Sequence, residues 1–332
     1  MKHRRLHSFF SKRSTVLNLW VLGALVIFSM TAEFWANSKP IVLRYHGKIY
    51  VPLLVDYHPS LFGRDDVFVM DYQSLELTAD DWAAWPLVSW DPYQSNSKLE
   101  TYPSPPSKQN IFGTDDRGRD VFARILYGLR YTLAYAIGVW LLAYSVGVLF
   151  GAVTGYLGGG VDLCGMRLVE IFESMPVLLI LLTLISIFSP NIYLMVIFSS
   201  CFGWTHIATY IRAEVLSLRE RDFIESARAL GASRWQIIVK HILPNAMNPL
   251  ITFSPFMVAG NILTLTNMDY LGLGLPVPTP SWGELLSQAQ KYSTVAEWLV
   301  WWPSFFLVLT LVLLINIGLA IRDSFDPKSS PS

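Results

Sequence analysis

Six stretches of the chain are apolar for about the length that a bilayer demands: 16–34, 131–157, 168–188, 192–211, 251–270 and 299–321. A helix needs roughly 20 mainly apolar residues to cross the hydrocarbon core, so the pattern predicts six transmembrane helices and an all-α polytopic membrane protein. The first stretch follows basic residues, as a signal peptide would, but Thr31-Ala32-Glu33-Phe34-Trp35 is a poor small-residue cleavage site. It is read as a retained helix. Pro176, Pro255 and Pro303 fall inside or at the edge of spans. They read either as kinks whose freed carbonyls neighbouring helices satisfy, or as hinges lining a pathway.

Composition sharpens this. Of 332 residues, 52% are hydrophobic and only 15% charged, against about a quarter charged in soluble domains. Net charge is zero, so no global field points to nucleic acid as a partner. Cys164 and Cys201 fit no ligand spacing, and His3 and His7 are too sparse to hold a metal. No G-x-x-x-x-G-K-[ST] loop occurs, so ATP, if it powers this protein, must bind another chain.

Orientation follows from Lys/Arg bias in short loops. Lys2, Arg4, Arg5, Lys12 and Arg13 precede the first span with no acid among them, which puts residues 1–15 in the cytoplasm. Alternation then places 212–248 inside, with Arg212, Arg219, Arg221, Arg228, Arg234 and Lys240, and the tail 322–332 inside with Arg322 and Lys328. The uncharged Ser189-Pro190-Asn191 turn falls outside. Trp35, Trp298, Trp301 and Trp302 read as an outer aromatic belt. The core is thus 131–321, five helices.

Residues 35–130 lie outside and are too long for a connector. Runs at 41–45 and 48–55 flank His46-Gly47 as a tight hairpin. Asp65, Asp66, Asp71, Glu76, Asp80, Asp81 and Asp91 make the middle acidic, and Pro103-Ser104-Pro105-Pro106-Ser107 reads as an extended spacer. The segment is either a small solvated insertion or a docking surface. Gly113-Thr114-Asp115-Asp116-Arg117-Gly118-Arg119-Asp120 is a turn-rich knot in which Asp116 or Asp120 is suited to cap the next helix. After it, Val121, Phe122, Ile125, Leu126 and Leu129 form one stripe with Arg124 and Arg130 off it, the pattern of an amphipathic helix lying in the interface.

Between the last two spans, Tyr270-Leu271-Gly272-Leu273-Gly274-Leu275-Pro276-Val277-Pro278 is too apolar for a loop and too rich in Gly and Pro for a helix. Ser281-Trp282-Gly283-Glu284 has the spacing of a capping box. Irregular backbone at membrane depth must be buried in protein or line a cavity, and this segment reads as an external gate or plug.

The stretch 222–245, DFIESARALGASRWQIIVKHILPN, is a polar-faced helix–turn–helix. One helix runs through Phe223, Ala227 and Leu230 to a left-handed cap at Gly231. A second opens at Ser233, with Gln236 completing a capping box, and presents Trp235, Ile238, Val239 and Ile242 on one face. Pro244 is expected to stop it, followed by Asn245. Ser226, Ala227, Ala229 and Ala232 keep the bend slim. Such an elbow is either a rigid connector or a tip that fits another protein's groove.

Glu225-Ser226-Ala227, Gly231 and Ile242-Leu243-Pro244 resemble the EAA loop of ABC-importer permeases, with Ser226 in place of an alanine. Gly113-Thr114-Asp115 with Gly118-Arg119-Asp120 resembles a periplasmic motif of the C-type permease subunit in dipeptide and oligopeptide importers. So does Leu271-Gly272-Leu273-Gly274 with Pro280-Ser281-Trp282-Gly283. The likeness covers about 110–326, departing at Glu170, where the family usually has Asp. Lys39-Pro40, Leu43-Arg44-Tyr45, Pro52-Leu53-Leu54, Pro103–Ser107 and Gln109-Asn110 are similar to the Yej-type permeases for oligopeptides and microcin C.

The resemblance implies the type I ABC importer permease fold with a small periplasmic insertion, in the bacterial inner membrane with both termini cytoplasmic. It implies half of a heterodimer: a homologous second permease subunit, two cytoplasmic ATPase domains and a periplasmic substrate-binding protein. ATP and Mg would be used by the ATPase chains, with no cofactor on this one. Glu225, Ser226, Ala227, Leu230, Gly231, Ala232, Ser233, Leu243 and Pro244 would form the coupling loop.

Glu170 and Glu173, one turn apart, and His206 are candidate pathway residues by default. The plainer readings are acids favoured near a helix N-terminus beside Arg167 and a satisfied structural histidine. Asp269 is placed at the outer end of its span, within reach of water. A stand-alone secondary carrier would show paired inverted repeats or conspicuous buried charge. A membrane enzyme would need a nucleophile with its base, or an H-E-x-x-H site. Neither pattern is present. Dipeptide and nickel permeases share the C-type motifs and remain alternative cargo classes.

Overall fold

The structure is a computed structural model and describes residues 9–10, 12–188 and 191–325. The predicted basic start (Lys2, Arg4, Arg5), His3, His7, Ser189-Pro190 and Lys328 lie outside the described residues. The elements run α1 (Arg13–Met30), β1 (Val42–Tyr45), β2 (Lys48–Tyr50), β3 (Trp82–Ala84), α2 (Val121–Leu157), α3 (Gly159–Glu173), α4 (Val177–Ile187), α5 (Ile192–Leu218), α6 (Asp222–Ala229), α7 (Leu243–Tyr270), α8 (Trp282–Tyr292) and α9 (Trp298–Phe325). Among the described residues five helices are long and apolar enough to cross a membrane, or six if the bent pair α3 and α4 counts as one span.

The third predicted span is where the expectation of a continuous helix fails. α3 and α4 meet at 72° across Ser174-Met175-Pro176. Proline has no N–H and disfavours helical backbone in the residue before it, and here it opens the ladder completely. Pro255 and Pro303, by contrast, sit inside unbroken helices. The predicted interfacial helix at 121–131 is also corrected: it is the first three turns of α2, which runs 37 residues without a break.

The residues form two compact units. The first comprises the described residues within 9–22, 133–268 and 310–325. Its core packs α2 against α5 through glycines four residues apart. A Cβ on Gly147 would lie 2.6 Å from the Trp204 carbonyl oxygen, one on Gly155 2.9 Å from that of Arg212, and one on Gly151 would overlap that of Ala208. Close backbone approach of this kind holds helices together where lipid supplies no hydrophobic drive. Val169 of α3 and Ile224 and Ala227 of α6 join the same cluster with Ile207, Ile211 and Val215.

The second unit comprises residues 23–132 and 269–309. His46 (φ 49°) and Gly47 (φ 75°) make the two-residue turn of the expected hairpin, with Tyr45 opposite Lys48. β2 ends at Tyr50, and a third strand that sequence did not reveal, β3, pairs antiparallel with β1. Leu43, Phe62, Met70 and Tyr72 form a small aromatic core beneath. Arg130 fixes the end of α1: its guanidinium donates to the Ser29 carbonyl at 2.8 Å and pairs with Glu33 at 2.8 Å.

The glycine seam generates a prediction. Gly151→Leu forces apart two backbones in contact, a cost of about 1–3 kcal/mol or more for overpacking. The purified variant in detergent is expected to melt at lower temperature and lose its monodisperse elution peak. Gly260→Ala, on α7 with open space around it, should match wild type.

Candidate functional site

The 222–245 elbow belongs to the first unit. α6 ends in a Schellman turn: Ala232 N–H donates to Ala227 O at 3.1 Å and Gly231 N–H to Arg228 O at 2.9 Å. Gly231 takes φ +80°, a conformation that L side chains disfavour. Ser233 then caps the next turn, accepting from Gln236 N at 3.3 Å while Gln236 Oε1 accepts from Ser233 N at 2.8 Å. The capping box is complete.

Pro244 does not stop the second helix. After Arg234–Gln236 the backbone widens into a π-helical stretch, Ile237–Ile242, and continues into α7. A π turn makes room for a proline ring that an α turn would exclude. The Asn245 side chain donates to the His241 carbonyl at 2.7 Å. The expected apolar face also divides: Ile237, Ile238 and Ile242 are buried, whereas Trp235 and Val239 are exposed.

The motif residues divide the same way. Ile224 and Ala227 pack into the core with α5, and the Arg228 guanidinium lies 5.7 Å from the Tyr156 ring centroid at the end of α2. Glu225, Ser226, Leu230, Gly231, Ser233 and Pro244 face outward, with Ala232 and Leu243 half-buried. Leu230, 88% exposed, and Phe223 put apolar surface on an otherwise polar tip. One face is anchored while the tip is bare.

The second unit gathers the two outer motifs into one buried polar cluster. Asp115 accepts from the backbone N–H groups of Arg117 and Arg119, both at 2.9 Å, and from Arg119 Nε at 2.7 Å. Arg119 Nη2 also reaches Glu284 Oε1 at 3.0 Å. Arg124, fully buried, binds Glu284 and donates to the Pro92, Pro278 and Thr279 carbonyls. Burial alone would lower the Arg119 pKa, but Asp115 and Glu284 outweigh it and the shift is upward.

The other residues of the outer motifs each have a local task. Gly113 (φ +76°) leaves space against Trp298 and the Ser104 carbonyl, and Gly118 (φ +76°) against the Tyr102 ring. The Thr114 hydroxyl accepts from Ser104 N at 2.8 Å, and its carbonyl from Trp298 Nε1 at 3.0 Å. Asp120, not Asp116, caps α2, accepting from Ala123 N at 2.8 Å. Burial pushes the Asp120 carboxyl up to about 6, against the Ala123 and Phe122 N–H groups and the Asn110 amide.

Trp282 is buried with Ser281 and Gly283, donates to the Ile125 carbonyl at 2.9 Å and sits close enough to Gly128 that a Cβ there would lie 3.1 Å from its ring. Pro280 is buried, Gly274 abuts Asp269, Leu273 is half-buried, and Leu271 and Gly272 are exposed. Three expectations are corrected here. Arg124 is no solvated edge of an interfacial helix, because Glu284 and three carbonyls enclose it. Glu284 does not complete a capping box: Ser281 Oγ accepts its N–H at 3.3 Å, but its carboxylate is given to the two arginines. Asp269 is 7% exposed, accepting from Ser281 Oγ at 2.5 Å and Leu275 N at 2.6 Å, so water does not reach it freely.

The outer tryptophans divide as well. Trp298 is buried, Trp302 stacks on Phe112 at 3.8 Å, and Trp301 keeps the exposure of a belt residue. Cys164 and Cys201 are free. Arg124 and Glu284 are what sequence reasoning missed, because a charge looks the same in sequence whether or not a partner encloses it.

Apolar spans, a glycine-packed helix seam and an elbow with a bare apolar tip define a multi-pass membrane protein of the transport-permease class. Residues 147–331 match the family described as "Binding-protein-dependent transport system inner membrane component". The chain belongs to that family, the inner-membrane permease subunits of ABC transporters. It is 41% identical to the "Inner membrane ABC transporter permease protein YejE" of Escherichia coli (strain K12), over 94% of this chain and 93% of that one. It is 36% identical to the "Peptidoglycan transport system permease protein YejE" of Agrobacterium fabrum, over 98% and 93%. To the "Oligopeptide transport system permease protein OppC" of Haemophilus influenzae it is 38% identical, over 73% and 75%. In fold it resembles a chain of the inward-facing MetNI methionine ABC transporter, with TM-score 0.50 and 19% identity over 62% of this chain and 98% of that chain.

The buried cluster is open to direct test. Removing one partner of a buried ion pair costs about 3–5 kcal/mol, so Arg124→Met should lower the melting temperature of the purified chain markedly. Glu284→Leu combined with Arg124→Met should recover part of that loss. A double variant that falls by the sum of the single effects would show the two side chains to be uncoupled.

Proposed function

We propose that this chain is one half of a heterodimeric permease for oligopeptides or peptide-like compounds, paired with a homologous second subunit. Two ATPase domains dock from the cytoplasm, one of them on the 222–245 elbow of this chain, and a substrate-binding protein docks from the periplasm. The ATPase chains use ATP and Mg, and this chain binds no cofactor. Both termini face the cytoplasm. The carrying observation is the divided elbow: Ile224, Ala227, Ile237, Ile238 and Ile242 are anchored in the helix core while Leu230 and Gly231 stand clear. A force on the tip is thus carried into α2 and α5 without a flexible link. The two-state movement that import requires needs such a handle and a bundle with two packings. The names of the relatives support the cargo class: oligopeptide transport and peptidoglycan transport.

At the outer motifs, Gly113, Thr114, Asp115, Gly118, Arg119 and Asp120 serve as a brace, and the gate role falls to the exposed part of 271–278. Ser281, Trp282 and Gly283 hold its far end.

ATP-driven uptake of a labelled oligopeptide into vesicles containing the complete importer tests coupling. Leu230→Asp, which needs no backbone change, and Gly231→Trp are each expected to cut uptake at least tenfold and abolish transport-linked stimulation of ATPase activity, with assembly intact by size exclusion. Unchanged uptake and stimulation in both variants would sink the docking assignment.

A further inference from the structure

We propose that Glu173 and His206, beside the break between α3 and α4, line the translocation pathway and receive a positively charged group of the cargo, such as a peptide's terminal ammonium. The proposal rests on the permease reading above and names the chemistry of its interior.

The pair lies in the first unit, where His206 Nδ1 is 3.5 Å from Glu173 Oε1. Both side chains are open: His206 83% and Glu173 38% exposed. His206 sits six residues, about 9 Å of helix rise, inside Arg212, whose guanidinium is bound to Asp162 at 2.7 Å. It therefore falls within the predicted span 192–211, whose other residues are all uncharged. Ionisable side chains at that depth face a bundle interior or water, not lipid.

The backbone points the same way. Pro176 gives α4 no side-chain cap, which leaves the first N–H groups of a half-helix without an intrahelical partner. Ser174, Met175 and Pro176 are exposed with it. Non-helical backbone at membrane depth is tolerated only where protein or a water-filled cavity covers it. At that depth both the side chains and the backbone argue against lipid as the cover.

Charge decides between a subunit seam and a pathway. Arg167 is engaged by Glu170 at 2.5 Å and Arg212 by Asp162. Among the described residues His206 is thus the one basic partner recorded for Glu173. A dry seam closing over a carboxylate with so little compensation would be strongly unfavourable. A wet pathway keeps the carboxylate solvated and presents it to passing cations. An ammonium offers charge-assisted hydrogen bonds to Glu173, and the neighbouring imidazole supplies a second polar contact. A single such contact is weak enough to release the cargo.

The test uses the complete importer in vesicles on a Cys164→Ser, Cys201→Ser background. Glu173→Cys and His206→Cys are exposed to a charged, membrane-impermeant methanethiosulfonate reagent with and without ATP. Labelling of both, at rates that ATP changes severalfold, is expected. Failure of both to label places the pair in lipid or a seam and overturns the proposal. Separately, Glu173→Gln should reduce uptake of a free-amino peptide about tenfold relative to its N-acetylated counterpart, with Glu173→Asp restoring it. Equal loss for both peptides, or none, overturns the assignment of the cation. If the wild-type importer carries neither peptide, the cargo class is wrong, and cysteine labelling still decides the position of the pair.

Discussion

A bilayer offers no hydrogen bonds, and the helices of this chain are shaped by that single constraint. At several points where a span departs from a straight apolar helix, a protein group answers the backbone or the charge so exposed. The end of α1 gives its carbonyls to Arg130. The proline at position 244 is met by a π-helical widening and by Asn245, which takes up the His241 carbonyl. Asp162 is matched to Arg212, and Asp269 is met by Ser281 and the Leu275 N–H. The break at Ser174-Met175-Pro176 is the departure whose uncapped α4 start and exposed surface are left for something outside this chain. That contrast gives the break its weight.

The same constraint explains the division of labour between glycine and large apolar residues. Gly147, Gly151 and Gly155 let α2 lie against the α5 backbone, because dispersion and close contact must replace the hydrophobic drive that lipid removes. The elbow is built by other rules. It uses a Schellman turn and a capping box, devices that satisfy helix ends with polar groups. The two regimes meet at Ala227, where a small residue of the loop enters the core that the glycines organise.

Much of this was legible in the sequence, and the failures are physically instructive. Long apolar runs identify spans because length and composition alone carry that signal. Gly231 and Ser233 announced their turn through local backbone chemistry, which needs no partner. What escaped depended on contacts distant in the chain. Arg124 reads as a solvated residue off an apolar stripe until Glu284, 160 positions away, is brought to it. Glu284 has the spacing of a capping residue, but two arginines claim its carboxylate. Strand β3 is three residues long and carries no pattern of its own. At Pro244 the expectation failed for a different reason: proline ends an α-helix in isolation, but a helix can change its pitch.

The Asp115–Arg119–Glu284–Arg124 cluster also constrains how its own unit can move. Buried ion pairs contribute little net stability over an apolar replacement, yet separating them is expensive. A cluster of this kind therefore acts less as cement than as a register pin. Slight sliding of α8 against the 113–120 knot would take Glu284 from both arginines and leave Asp115, 3.5 Å from Arg124 Nε, as the one carboxylate for two buried guanidinium groups, so intermediate positions are disfavoured more than the end state is favoured. With Trp282 hydrogen-bonded to the Ile125 carbonyl and packed beside Gly128, the start of α8 is held to the first turns of α2. The segment from Leu271 to Pro278 lies outside this cluster, with its apolar side chains partly bare and its flanking residue Asp269 bound to Ser281 and the Leu275 N–H. The buried charges set the register of the 113–120 knot against α8, and the segment that carries Gly272, Pro276 and Pro278 stands without such a pin.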